Sequence, residues 1–254
     1  MWGEQLTGAL PAVLSSVGEV AALAGGVRGL PAAVRAPHSP ALVEAPGPDP
    51  MPHSIPLSTI PTLLVHGYLG STLVWSPLIK DLQRSGLGGF FALRYNSLTS
   101  PIEAVADQLD RAAREVLDRT GAERLHVVGH SLGGLVVRYA VQQLGLSSIV
   151  SAVVTIATPH RGSAFAYAAV GPAGPQMRPN ARLIAALPPL ATTGTVRWLV
   201  VEGALDPVAP HVDHAGVPVV VLPTRGHQGI LRERDLADVL AEHLLACEPS
   251  AAVA

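Results

Sequence analysis

From Pro61 onward, short apolar runs alternate with segments of helical period. The runs cover residues 62–66, 91–95, 125–129, 152–157, 198–201 and 217–222. They are rich in Val, Leu and Ile and lack the polar alternation of a strand with one wet face. Such runs predict strands covered on both faces, as in a parallel sheet flanked by helices. Between them, Ile102, Val105, Ala106, Leu109, Ala113, Val116 and Leu117 repeat at helical spacing. The preceding Ser100-Pro101-Ile102-Glu103 reads as a capping box with proline at the first helical position. Leu236, Val239, Leu240, Leu244 and Leu245 give a last helix the same period. The expected fold class is α/β, a mostly parallel sheet of about six strands joined by right-handed crossovers with helices on both faces. In such sheets reactive groups gather beyond the carboxyl ends of the strands, so the loops after the runs are where chemistry belongs.

The first part of the chain is patterned differently. Leu10, Val13, Leu14, Val17, Val20 and Ala21 share one helical face, with Pro11 in the first turn. That face suits docking on the main domain first, then a weak contact with a membrane surface or a second copy, with a cleaved or atypical leader as the remaining reading. Residues 36–61 carry eight prolines and read as an extended linker. The expected organisation is a helix and linker over 1–58, a main domain over 59–248 with a small cap over 159–196, and a tail over 249–254. Glu4 is the first charge and Arg28 the first base, so a secretory leader with a basic start is not expected. The uncharged run 5–18 is too short to cross a bilayer. A cytoplasmic location is expected over a secreted one.

Composition narrows the classes. Apolar residues make up 48% of the 254 and charged residues 14%, which excludes a disordered charged chain. Seventeen basic against nineteen acidic residues leave a net charge of −2, with no basic stripe for nucleic acid. The single cysteine, Cys247, allows no internal disulfide.

Directly after the run 125–129 stands Gly129-His130-Ser131-Leu132-Gly133-Gly134, followed by apolar Leu135, Val136 and Val137. This is G-x-S-x-G between a strand and a helix, the setting of a nucleophile elbow. A sharp turn exposes the Ser131 hydroxyl, and side chains at 129 or 133 would crowd it. The helix behind Ser131 aims amides and a positive dipole end at any oxyanion formed there. Two further segments follow strands: His66-Gly67-Tyr68-Leu69-Gly70 and Thr158-Pro159-His160-Arg161-Gly162-Ser163. With these motifs, residues 60–246 resemble the α/β-hydrolase family, and within it the bacterial lipase and esterase group. Larger members carry an antiparallel pair before the first parallel strand. No such strands are evident before Thr62, which is consistent with the trimmed sheet of compact lipases.

A serine hydroxyl needs a neighbouring base, itself oriented by a third group. In this family the chain order is Ser, acid, His. His227, in a glycine-flanked loop after the run 217–222, is the expected base; His243 lies within the last helix, and His160 would invert the order. His160 reads as a cleft-wall residue, and His66 and His130 as scaffolding. Asp206 is the expected acid, in a turn after the run 198–201, with Asp213 and Glu202 as rivals. The oxyanion hole is assigned to the amide of Leu132 and, by resemblance, to that of Tyr68.

The cap segment holds Phe165, Tyr167, Val170, Met177, Leu183, Ile184 and Leu187. These residues either line an acyl-binding cleft, with Phe165, Met177 and Leu183 as substrate contacts, or pack among themselves. No metal or other cofactor is expected: His211-Val212-Asp213-His214 lacks zinc spacing, no carboxylate cluster suits calcium, and Gly129–Gly134 lacks a P-loop lysine. The expected activity is cleavage of carboxylic esters, small or lipidic, through an acyl-enzyme. A thioesterase, amidase or cofactor-free haloperoxidase could use the same triad, and a noncatalytic module could retain the pocket.

Overall fold

The computed structural model describes residues 42–44 and 60–247. The expected N-terminal helix, most of the linker and the tail lie outside the described residues. The alternating body folds into one sheet of seven strands: β1 (Leu42–Glu44), β2 (Thr62–Val65), β3 (Phe90–Leu93), β4 (Leu125–His130), β5 (Val150–Ile156), β6 (Arg197–Leu205) and β7 (Val219–Arg225). Their spatial order is β1-β3-β2-β4-β5-β6-β7. All neighbours pair in parallel except β1, which runs antiparallel to β3 with Leu42 opposite Leu93.

The mostly parallel sheet expected at about six strands has seven, and the expectation of no strand before Thr62 is corrected by β1. Three residues, Leu-Val-Glu, are too few to announce a period. They are strand because the open edge of β3 supplies hydrogen bonds and a buried seat for Leu42. Pairing also lengthens β6, which reaches Leu205 opposite Arg225, well past the apolar run that marked it.

The helices are α1 (Ser76–Arg84), α2 (Ile102–Thr120), α3 (Leu132–Gln143), the short α4 (Ala173–Gln176) and α5 (Arg182–Ala186), and α6 (Arg234–Leu245). Alternate strand side chains point to opposite faces, so each face acquires its own core. On one face Leu63, Val65, Phe91, Val127, Val153 and Val200 pack beneath α2, α3 and the cap. On the other Leu64, Ala92, Val128, Val154, Ile156 and Val201 pack beneath α1 and α6. The stripe of α2 is buried as its spacing requires, with Leu117 only partly covered. Its capping differs from expectation. Ser100 makes no cap hydrogen bond; instead Gln176 of α4 accepts from the Ile102 amide at 2.7 Å and donates to Glu103. A side chain 74 positions away thus satisfies the helix end and ties the cap to α2.

From β2 the chain moves outward to β3, then returns across β2 to β4. The strand order reverses between β2 and β4, and the loops leaving their carboxyl ends open a crevice there. Among the described residues no helix is long and apolar enough to cross a membrane.

Candidate active site

Ser131 follows β4 at that crevice with φ 55° and ψ −123°, a left-handed-side conformation rare for a residue with a side chain. The strain is sustained because the neighbourhood has no slack. The Ser131 amide donates to the Ile156 carbonyl at 2.9 Å, fixing the turn to β5. A Cβ at Gly133 would stand 2.1 Å from the Val65 carbonyl oxygen, and one at Gly129 would stand 2.7 Å from Gly133 O and Gly134 N. Only glycine lets α3 start this close to β2 and β4.

His227 and Asp206 arrive from the loops after β7 and β6. The structure brings all three side chains into one hydrogen-bonded row: Ser131 Oγ to His227 Nε2 is 2.7 Å, and His227 Nδ1 to Asp206 Oδ2 is 2.8 Å. The other oxygen of Asp206 accepts from the amides of Val208 and Ala209 at 2.9 and 3.1 Å. Asp206 is thus an acceptor held in place by two backbone donors and His227. With Nδ1 donating to Asp206, Nε2 is left to accept the Ser131 hydroxyl proton. All three residues are buried.

Opposite Ser131 lies the loop after β2. Gly67 approaches so closely that a Cβ there would meet Ser131 Cβ at 2.9 Å. The loop is held by Ser97 Oγ, which accepts from the Leu69 amide, and by Tyr95, which donates to the His66 carbonyl at 2.5 Å and stacks on the His66 ring at 4.2 Å. Burial pushes the His66 imidazole below its usual pKa, so it stays neutral against the tyrosine ring. Leu132 directly follows Ser131 at the start of α3, and Tyr68 follows Gly67 in the loop that lies against Ser131.

An apolar cleft opens beside the row. Ser131 and His227 lie at its floor, with Tyr68, Pro159, Phe165, Ala166, Ala169, Val170, Met177 and Val208 among its walls. Phe165 and Met177 therefore reach the cleft. Leu183 does not: it is buried against α3 in the core beneath the cap, because α5 turns that face away from Ser131. Nor is His160 a wall residue. Its ring is buried, pairs with Thr155 Oγ1 at 3.0 Å and meets His214 edge-on; burial and nearby cations drive its pKa well down. His130 is also buried, under His227, with Nε2 3.4 Å from the His227 carbonyl and a pKa lowered to about 3, chiefly by desolvation. Glu202 accepts from His211 rather than from His227. His243 sits beside the Arg197 carbonyl on α6. Among the described residues, no group of three or more His, Cys, Asp or Glu could hold a metal ion.

Two site-shaping residues escaped the sequence reading. Tyr95 stood unremarked at the end of an apolar run. Arg138, the only charge on apolar α3, is buried and donates to the carbonyls of His160, Leu187 and Pro188. A lone arginine in such a helix was the signal available.

Known proteins share this fold. The family model described as the alpha/beta hydrolase fold matches residues 61–198. The chain belongs to the α/β-hydrolase family. It is similar to triacylglycerol lipases of Pseudarthrobacter phenanthrenivorans and Burkholderia plantarii, each 36% identical over 114 residues. Those matches cover 42% of this chain and 35% and 31% of the relatives, so the chain spans about a third of the length of the curated proteins it matches. Its fold resembles the mature Bacillus licheniformis lipase BlEst2, with a TM-score of 0.65 at 16% identity over 82% of this chain and 99% of that one. Aspergillus fumigatus lipase B superposes with a TM-score of 0.62 at 18% identity, over 87% and 58%.

Proposed function

We propose that this protein is a serine hydrolase that cleaves carboxylic esters of apolar acyl groups. The observation that carries the reading is the unbroken row Ser131–His227–Asp206, at 2.7 and 2.8 Å, opening on an apolar cleft. His227 Nε2 takes the Ser131 proton as Oγ attacks the ester carbonyl. Asp206 holds the imidazole tautomer and stabilises the imidazolium without taking the proton. The amides of Tyr68 and Leu132 receive the oxyanion, and each such donor is worth about 100- to 1,000-fold in rate. His227 then protonates the departing alcohol. Water enters, loses a proton to the same nitrogen, and releases the acid from Ser131. The likeness to triacylglycerol lipases supports ester substrates, and the mainly apolar pocket walls, with Tyr68, Ser163 and Gln228 as their polar members, support hydrophobic acyl groups.

A fluorophosphonate probe tests the assignment: mass spectrometry should find the adduct on Ser131, and Ser131→Ala should lose both labelling and turnover. Adduct on another residue, or ester turnover surviving Ser131→Ala, would defeat it. Thioesters and amides in the same panel should be poorer substrates than esters.

A further inference from the structure

Tyr68, whose amide the proposed mechanism uses for the oxyanion, also engages the cap with its side chain. The Tyr68 hydroxyl donates to the Val170 carbonyl at 2.7 Å and accepts from the Val170 amide at 2.9 Å, across 102 residues of sequence. Burial raises the Tyr68 phenol above its usual pKa, so it remains a donor throughout the working range. Val170 ends the segment 164–170, which forms one wall of the cleft. The ends of that wall are fixed elsewhere. The Ser163 amide donates to the Met177 carbonyl at 2.8 Å, and Gly171 passes so close to Leu98 that a Cβ would stand 2.3 Å from its carbonyl oxygen. Between those ends the wall consists of Phe165 and small residues, Ala166, Ala168 and Ala169, over a space of about 70 Å³. A cavity of about 150 Å³ is what benzene occupies in a protein core.

We infer that Tyr68 is a specificity-determining residue: its hydroxyl latches the 164–170 wall over the cleft and limits the site to esters of short acyl chains. This rests on the ester-hydrolase reading above. The wild-type protein should therefore turn over p-nitrophenyl acetate and butyrate with kcat/KM at least tenfold above that for the octanoate and palmitate. Tyr68→Phe keeps the backbone amide and ring but removes both bonds to Val170. It should narrow the butyrate-to-octanoate ratio of kcat/KM by about tenfold, mainly through a lower KM for octanoate. Ser131 labelling by ethyl and octyl fluorophosphonates should converge in rate in the same variant, a single-turnover reading independent of product release. A melting curve checks that the variant folds. If it does not, Ala169→Leu, which fills the latched space, should depress butyrate relative to acetate.

The outcomes separate the two readings. Wild type with neither labelling nor turnover overturns the hydrolase assignment. Wild type that hydrolyses esters but prefers octanoate, a folded Tyr68→Phe with an unchanged chain-length ratio, or, where that variant does not fold, an Ala169→Leu with an unchanged acetate-to-butyrate ratio overturns the latch alone.

Discussion

The elbow and the cap wall face each other across one cleft, yet they are held in different ways. At the elbow the restraints are backbone against backbone: Gly133 lies on the Val65 carbonyl, and the Ser131 amide is tied to β5. Around the cap the chief restraints are long side chains running between it and the body. Arg138 and Gln142 gather the carbonyls of His160, Leu187, Pro188 and Pro189; Gln176 reaches back to α2; Tyr68 holds Val170. Atoms that perform the chemistry are thus fixed by the sheet itself, at a precision side-chain rotamers cannot match. The wall that selects substrate is attached through few groups, each replaceable without touching the sheet.

That contrast can be broken most severely at Gly133. Gly133→Ala must push α3 off β2, and we expect loss of Ser131 labelling together with a fall in melting temperature. A variant that labels normally would show that the elbow has slack. Asp206→Asn should leave the fold intact and lower kcat by about 10⁴-fold, since the amide stabilises the wrong His227 tautomer. Steady-state kinetics alongside circular dichroism separate this from unfolding.

On the cap side, Arg138→Met removes the hydrogen bonds of a buried cation to Gln142 and to the carbonyls of His160, Leu187 and Pro188, of which Pro188 keeps its bond from Gln142. Burial lowers the Arg138 pKa to about 10, so the lost group is charged at neutral pH. A loss of about 3 kcal/mol in urea unfolding is expected, with ester turnover reduced less than in Asp206→Asn. Equal losses of turnover in the two variants would erase the distinction between chemistry and wall.

The buried imidazoles give a pH test that spans both regions. His130 under the elbow and His160 under the cap have folded-state pKa values depressed below 6.5, and the unfolded chain binds their protons more readily. Their neutral forms support the fold above about pH 6.5, and stability falls as pH drops below it, by about 1 kcal/mol per pH unit for each group. Urea midpoints at pH 7 and pH 5 should differ accordingly, and His160→Gln should flatten the slope. The smallest effect is expected at Tyr95→Phe, which frees the His66 carbonyl and should lower kcat about fivefold, the worth of one net hydrogen bond, with KM unchanged.

Much of this molecule could be read from local pattern. The runs from β2 to β7, the α2 stripe and Gly129 to Gly134 each announce themselves, because period and steric need are properties of neighbouring residues. The order of Ser131, Asp206 and His227 was readable because the family resemblance implies it and each stands in a loop after a strand. β1 was not, since a three-residue strand exists only through its partner's edge. The roles of Leu183 and His160 were misread because which face of a short cap element turns inward depends on what lies beneath it. Ser100 lost its capping role to Gln176 because two distant segments met there.

Local spacing alone settled which residue types would be carried to the carboxyl end of the sheet, since strand and helix periods are written in sequence. Tertiary structure alone decided which of them touch: that Asp206 rather than Glu202 meets His227, that Arg138 anchors the cap, and that the Tyr68 hydroxyl reaches Val170. Contacts across 21 to 102 residues depend on how the sheet and cap pack, and no local window contains both partners.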